Sequence, residues 1–421
     1  MKRPILLLAM CLFAVANVAA QARFMDILNK GYAKPERVYQ YYVNHQSDSI
    51  YALGERLFSQ HFTSAQFADM LRELDARLGQ PTEAAMWELQ RQQGYEIYAR
   101  QITYPKHTAT LSVVYDNAGS LVGFSITNEL ARPEGNEHDF RLLTAGVELP
   151  ARLTLPAASA QESQVPVAIL VHGSGPNNMD ETLGPNAPFR DLAEGLARRG
   201  IAVVRYDKRT LAHPELFAGQ DKTYTYDDET ADDAIAAVRA VKGQLLPQGG
   251  TRIDTARVFV IGHSLGAALA PRIAEREKSV AGIVLLAAPT GKLLPTMARQ
   301  LRYLGMAEDA VEAQLKEVKA SLPAAYLAFD ESYSPISTAT ALTVPMLILQ
   351  GERDYQVTMD DFANWQRAVG GKEGTSLKSY PSLNHLFMSG EGKCLPNEYL
   401  KAGHVSEEVM DDIARFIKSS K

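Results

Sequence analysis

Cysteine is nearly absent from this 421-residue chain, which has only Cys11 and Cys394. Cys11 falls in an N-terminal apolar stretch that reads as a removable leader, so the mature chain keeps one thiol and no intrachain disulfide can form. The fold must then rest on its apolar core even in an oxidising compartment. Cys394 has no strand-turn-helix setting around it and reads as an inert, buried or partly buried thiol. Long apolar runs are also missing. The stretch from Ile5 to Val15 is too short to span a bilayer, so no stable membrane anchor is expected. Basic clusters are absent, and a net charge of −6 argues against nucleic acid as a partner. No internal repeat or low-complexity tract is evident, and no motif assigns an oligomeric state. With 46% hydrophobic residues, the chain can still bury ample core for two domains.

The leader has a recognisable layout. Lys2 and Arg3 precede the apolar run, and Val18-Ala19-Ala20 places small residues three and one positions before a cut. Cleavage is therefore expected after Ala20, with residues 1–20 as the signal peptide and a secreted, periplasmic mature protein. Cys11 lies inside the apolar run behind Met10, which is not where a lipidated cysteine would sit.

Two patterns follow the leader. Over residues 21–130, Thr63 and Gln66 form a capping box, and Phe67, Met70, Leu71, Leu74 and Leu78 recur at helical spacing before Gly79. Three alternating segments come next (Tyr95 to Thr103, Thr108 to Tyr115 and Leu121 to Thr127), the last two joined by a turn at 116–119. Helices followed by an antiparallel meander predict a separate α+β module, similar to small NTF2-like domains. Tyr39, Tyr41, Tyr42 and Trp87 read as part of its own core. A polar segment between Leu130 and Asp139 marks the boundary. Beyond it, over 138–421, strands and helices alternate: strands at Pro166–Val171, Ile201–Tyr206, Arg257–Ile261, Val280–Ala287, Val344–Gln350 and Ser376–Tyr380, with helices such as Asp227 to Lys242, Met359 to Val369 and Glu407 to Lys418, the last capped by Ser406. This alternation predicts a mostly parallel sheet with helices on both faces.

The chemistry is carried by Gly262-His263-Ser264-Leu265-Gly266, placed between an apolar strand and a helix-forming run. Glycines two positions to either side leave room for a strained turn that exposes the serine hydroxyl. The pentapeptide alone would arise by chance in about one chain in ten of this length. Its partners make it specific. A serine needs a histidine to take its proton, and the histidine needs a carboxylate to fix its tautomer. Asp354 and His385 each follow a strand end, where doubly wound sheets place their ligands. Glu352 leaves its strand end too early to compete. Asp207 is the stronger rival acid, although Asp207-Lys208-Arg209 reads as internal ion pairing that braces the loops. After the strand ending at Val171, the loop His172-Gly173-Ser174-Gly175-Pro176 could bring backbone N–H groups to a substrate oxygen. The Ser174 and Leu265 N–H groups are the expected oxyanion pair, with Gly173 as the alternative donor. His172 and His263 are expected to orient loops rather than move protons, and His404 has no assigned task. Asp180 and Glu181 lack a histidine partner for metal binding, so neither a metal nor a cofactor is expected.

The segment from His172 through Asp180-Glu181-Thr182, Gly184-Pro185-Asn186, Phe189 and Asp191-Leu192-Ala193, then Arg205-Tyr206-Asp207-Lys208-Arg209, resembles two-domain carboxylesterases of the α/β-hydrolase superfamily, the EstD type. Asp354-Tyr355-Gln356-Val357 and Leu383-Asn384-His385-Leu386-Phe387 are similar to the acid and histidine segments of those enzymes. The order Ser264, Asp354, His385 is also theirs. The resemblance covers roughly Phe140 to Lys421, and it implies hydrolysis of a small-molecule ester through Ser264, Asp354 and His385. One departure is a longer segment, 292–341, inserted across the mouth of the site. It is expected to act as a helical cap. Its Leu301, Tyr303, Leu304, Leu315, Leu322, Tyr326, Leu327 and Phe329 would either line a pocket or pack the cap onto the body. The expected fold class is α/β: an α/β-hydrolase body with a helical cap and a smaller N-terminal α+β domain. Two rival functions use the same features. A serine peptidase would share the triad and could hold a substrate amine with the cap acids Glu308, Asp309, Glu312, Asp330 and Glu331. A binding protein would keep the body as a scaffold, but its triad would be expected to have decayed.

Overall fold

The computed structural model describes residues 32–92, 94–131, 136–157, 164–217, 223–246 and 252–420. The expected leader, with Ala20 and Cys11, lies outside the described residues. The chain divides into two units, Met1–Arg132 and Pro133–Lys421.

In the first unit, helices α1 (Ala33–Val43), α2 (Ser47–Phe58) and α3 (Ser64–Leu78) precede an antiparallel sheet. Helix α3 begins with the expected capping box: the Gln66 N–H donates to Thr63 Oγ1, and the Thr63 N–H donates to Gln66 Oε1 at 2.8 Å. Of its predicted apolar stripe, Phe67, Leu71 and Leu78 are buried, whereas Met70 is 54% exposed. The sheet holds β3 (Tyr95–Thr103), β4 (His107–Asp116) and β5 (Leu121–Ala131), as the alternating segments suggested. It gains two strands with no alternating signal, β1 (Glu83–Ala84) and β2 (Glu88–Gln92), both paired with β3. Tyr42 and Trp87 are buried in this unit's own core, with Tyr39 and Tyr41 packed against it.

The second unit is built on an eight-stranded sheet. An antiparallel hairpin, β6 (Glu137–Thr144) and β7 (Val147–Thr154), leads into β8 (Val165–Val171), β9 (Ala202–Tyr206), β10 (Ile253–His263), β11 (Gly282–Leu286), β12 (Met346–Gly351) and β13 (Thr375–Tyr380). Their order is β13-β12-β11-β10-β8-β9-β7-β6, and the six from β13 to β9 run parallel. Both faces are covered, which is why these strands read as continuous apolar runs. Along β8, Val167, Ile169 and Val171 enter one core while Ala168 and Leu170 enter the other. Helices α4 (Pro188–Arg198) and α12 (Glu407–Ser419) pack into the second core, with Phe189, Leu192, Val409 and Ile413 buried. Helices α5 (Asp232–Lys242), α6 (Leu265–Arg276) and α11 (Met359–Val369) pack into the first. The inserted segment forms four helices, α7 (Leu293–Tyr303), α8 (Glu308–Ser321), α9 (Ala324–Ser332) and α10 (Pro335–Ala341).

Two local expectations differ from the structure. The helix expected to run unbroken from Asp227 opens with a π-helical turn, Asp227–Ala231, before α5 begins. Asp227 there pairs with Arg272 and Arg276, while Glu229 is buried, so the wider turn serves groups on opposite sides. Ser406 does stand at the start of α12, but its side chain makes no capping hydrogen bond. Strand order reverses between β8 and β10, since the chain leaves β8 for β9 on one side and returns on the other. Crevices at such switch points are where open α/β sheets bind ligands. Because each unit has its own buried core, a chain beginning at Asn136 should fold alone, with a single cooperative thermal transition followed by circular dichroism. A truncated chain with no cooperative transition would show that the second unit needs the first.

Candidate active site

Strand β10 ends in the turn that presents Ser264. The Ser264 backbone has φ 52° and ψ −116°, a conformation that L-residues rarely adopt and that costs on the order of 1–3 kcal/mol. It is held by two main-chain bonds. The Ser264 N–H donates to the Leu286 carbonyl at 2.9 Å, and the Ser264 carbonyl accepts from the Ala268 N–H at 3.0 Å. The flanking glycines are required by contact. A Cβ on Gly262 would lie 2.2 Å from the Gly266 carbonyl oxygen, and a Cβ on Gly266 would lie 2.2 Å from that of Val171. Helix α6 therefore starts against the end of β8, which brings the loop after β8 beside the serine.

Asp354 and His385 meet in the loops beyond β12 and β13. His385 Nδ1 is 2.6 Å from Asp354 Oδ2, and both residues are buried. The other carboxylate oxygen, Oδ1, accepts the N–H groups of Gln356 at 2.8 Å and Val357 at 3.0 Å. Gln350 Nε2 also donates to Oδ2, at 3.3 Å. Four donors thus fix the carboxylate, and its bond to Nδ1 leaves Nε2 as the ring nitrogen free for chemistry. The histidine loop is shaped by Asn384, which sequence reasoning quoted but gave no task. Asn384 Oδ1 accepts from the N–H groups of Leu386 and Met388, and its Nδ2 donates to Glu398. Gly351 has no room for a side chain because a Cβ there would come within 2.5 Å of the Leu383 carbonyl. The rival acids are engaged elsewhere. Glu352 accepts from Ser379 Oγ, and Asp207 accepts the Met179 N–H at 2.8 Å. The expected pairing within 207–209 is corrected: Lys208 and Arg209 turn instead to Glu229 and Asp233. Burial raises the Asp207 pKa to about 6.

The loop after β8 is tied down by buried polar groups. The Gly173 N–H donates to Glu181 Oε1 at 2.7 Å and so is already committed. Glu181, expected to lack a histidine partner, has one brought in by the fold: its Oε2 lies 2.9 Å from His263 Nδ1 as an ion-pair contact, and His263 Nε2 meets the His385 carbonyl at 3.0 Å. Burial alone would lower the His263 pKa, but Glu181 and the His385 carbonyl outweigh it and hold the ring above its ordinary value. His172 is different. Burial drives its pKa down to about 4, so it is neutral, stacked on Phe189 with Nε2 at 2.6 Å from the Tyr206 carbonyl. Asp180, weighed as a metal ligand, pairs with the fully buried Arg205 at 2.8 Å. His404 lies 3.0 Å from Asp191 on the surface. Cys394 is free and buried, and burial raises its thiol pKa.

One cavity of about 410 Å³ is lined by Ser174, Ser264, Leu265 and His385 together. The Leu265 N–H is the first of α6, a position that has no acceptor within its helix. Asp354 stands behind His385. From the inserted helices come Leu293, Thr296, Met297 and Gln300, with Asp330 and Tyr333 on the same wall. Among the described residues, none of the eight apolar positions considered for this wall lines the cavity. Tyr326, Leu322 and Phe329 join the main core, Tyr303 packs beside Tyr355, and Leu304 is 41% exposed. Asp330 does reach the cavity, but its carboxylate accepts the Tyr226 hydroxyl at 2.8 Å and the Leu293 N–H at 3.1 Å.

The esterase EstD of Thermotoga maritima is 36% identical over 405 residues, which span 86% of this chain and 94% of that protein. Among solved structures, a Pyrococcus furiosus esterase is 18% identical, with a TM-score of 0.45, covering 68% of this chain and 91% of its own. A puromycin-hydrolyzing peptidase of Mycobacterium tuberculosis is also 18% identical, with a TM-score of 0.49, covering 80% of this chain and 49% of its own. Residues 168–389 match the alpha/beta hydrolase family, so this chain belongs to that family and is related to esterases of the EstD type.

Proposed function

We propose that the chain is a carboxylic-ester hydrolase that works through an acyl-enzyme on Ser264. The observation that carries this reading is the 2.6 Å contact between His385 and Asp354 at a cavity shared with a serine in a strained turn. His385 Nε2 takes the Ser264 proton as Oγ bonds to the ester carbonyl carbon. The carbonyl oxygen becomes an oxyanion held by the N–H groups of Ser174 and Leu265. The C–O bond to the alcohol then breaks, and His385 returns the proton to the leaving oxygen. Water, deprotonated by His385, attacks the acyl carbon; the bond to Ser264 Oγ then breaks as His385 returns the proton to Oγ, and the acid is released. Asp354 holds the ring in one tautomer and stabilises the imidazolium. Commitment of the Gly173 N–H to Glu181 favours Ser174 as the second donor. The peptidase reading is weaker, since the one cap acid on the cavity wall, Asp330, is already bound by Tyr226 and Leu293.

The apolar run and small residues ending at Ala20 support secretion to the periplasm. Among the described residues, three helices and a five-stranded antiparallel sheet support an NTF2-like first module. Among the described residues, no helix is long and apolar enough to cross a membrane.

Ser264→Ala and His385→Ala should each lower kcat on p-nitrophenyl acetate by about 10⁴-fold or more, and wild-type enzyme should prefer such esters to aminoacyl anilides. Retained turnover, or a preference for anilides, would count against the assignment. The two aspartates should separate cleanly. Asp354→Asn should cut kcat by up to about 10⁴-fold through the wrong histidine tautomer. For Asp207, the folded pKa lies above the unfolded one, so its carboxyl favours folding at low pH and loses that contribution as pH rises through about 6. Asp207→Asn should leave kcat nearly unchanged and raise Tm relative to wild type at pH 8, with the gain shrinking toward pH 4. Loss of kcat in Asp207→Asn alone would make Asp207 the acid.

A further inference from the structure

The Gly173–Ser174 peptide is gripped by two side chains outside the triad, one of them fully buried. The Lys208 ammonium, 1% exposed, donates to the Gly173 carbonyl at 2.9 Å, and Asn177 Nδ2 reaches the same oxygen at 3.3 Å. In a trans peptide the carbonyl and the following N–H lie in one plane and point in opposite directions. The Gly173 carbonyl and the Ser174 N–H share that plane. Drawing the carbonyl onto Lys208 therefore aims the Ser174 N–H away from it. A cation on the carbonyl also polarises the amide, which strengthens the N–H as a donor.

Lys208 is itself seated from the cap. Glu229 Oε1 accepts from Lys208 at 2.5 Å, and Glu229 Oε2 accepts from the Tyr326 hydroxyl at 2.7 Å. Burial, with the adjacent Glu229 carboxylate, holds the Tyr326 pKa far above its ordinary value, so this hydroxyl stays a donor. Tyr326 lies on α9, and its ring packs edge-on against Tyr226, with centroids 4.4 Å apart. Tyr226 in turn lines the cavity and donates to Asp330. A continuous chain of contacts thus runs from the cavity wall through Tyr326, Glu229 and Lys208 to the Gly173 carbonyl.

We infer that Lys208, seated by Glu229 and the cap residue Tyr326, is a positioning residue that orients and strengthens the Ser174 N–H as an oxyanion donor, so that the cap is mechanically coupled to transition-state stabilisation. The inference rests on the reading of Ser174 as an oxyanion donor. Lys208 touches no substrate atom in it and acts through the peptide plane alone.

The test is a paired substitution, Lys208→Met with Glu229→Gln, which leaves no uncompensated buried charge. Its readouts are steady-state kinetics on p-nitrophenyl acetate and inhibition by benzeneboronic acid, which adds to a serine as a tetrahedral, oxyanion-like adduct. Loss of an oxyanion donor should lower kcat by about 10²-fold, with KM within about threefold, and weaken boronate affinity by a similar factor. A merely structural role would not single out the tetrahedral state. A folded double variant with wild-type kcat and boronate affinity would overturn the inference. If the double variant does not fold, Tyr326→Phe decides, because it removes one oxygen and keeps the ring packing. It should lower kcat and boronate affinity together by about fivefold at unchanged KM, and wild-type values would overturn the proposal. Ser264→Ala separates the two levels. If it retains turnover, the serine mechanism fails; if it abolishes turnover while the Lys208 and Tyr326 variants behave as wild type, only the coupling fails.

Discussion

The contact on which the site depends is the approach of Gly266 to the backbone of the β8 end. A methyl group at Gly266 would collide with the carbonyls of both Val171 and His172. Only a bare Cα lets α6 begin that close, and that closeness places the first N–H of α6 beside the loop carrying Ser174. The adjacent strands β8 and β10 thereby deliver the proposed nucleophile and the loop proposed to hold the oxyanion to one point, although Ser174 and Ser264 are far apart in sequence. The strained φ at Ser264 is tolerated because the parallel sheet beneath it is buried on both faces and overdetermines the turn.

A second constraint is electrostatic. Arg205, Lys208 and Arg209 leave the end of β9 and pair inside the protein with Asp180, Glu229 and Asp233. Buried pairs of this kind add little net stability, yet removing one partner typically costs about 3–5 kcal/mol because the other charge is stranded. Their value here is geometric. Each ties a loop near the sheet's carboxyl end to a different element, and the Glu181–His263 contact does the same between the loop after β8 and the backbone of His385. The loops around the candidate site therefore share a polar floor of paired charges.

Much of this was legible in the sequence. Continuous apolar runs in the second unit announced strands buried on both faces, and glycines two residues either side of Ser264 announced the elbow. The order of Ser264, Asp354 and His385 could be read because each residue follows a strand end. Strands β1 and β2 could not be read: β1 has two residues, and β2, Glu-Leu-Gln-Arg-Gln, is largely exposed and carries no apolar alternation. The cavity wall stayed open between two readings for a related reason. Apolar residues in a cap helix face either the body or the ligand, and hydrophobicity is the same for both, so Tyr326 and Phe329 went to the core while Leu293 and Met297 took the wall. The basic pair at 208–209 was recognised as bracing, but its partners lie 21 and 24 residues onward, and one of them sits in a π-helical turn with no sequence signature.

The central claim is that Ser264 is the nucleophile of the site. The most direct measurement is reaction of the mature protein with a fluorophosphonate, followed by intact mass and peptide mapping. The expected result is one adduct per chain, located on Ser264, with esterase activity lost in step with labelling. An adduct on another residue such as Cys394, or full labelling of Ser264 with activity retained, would contradict it.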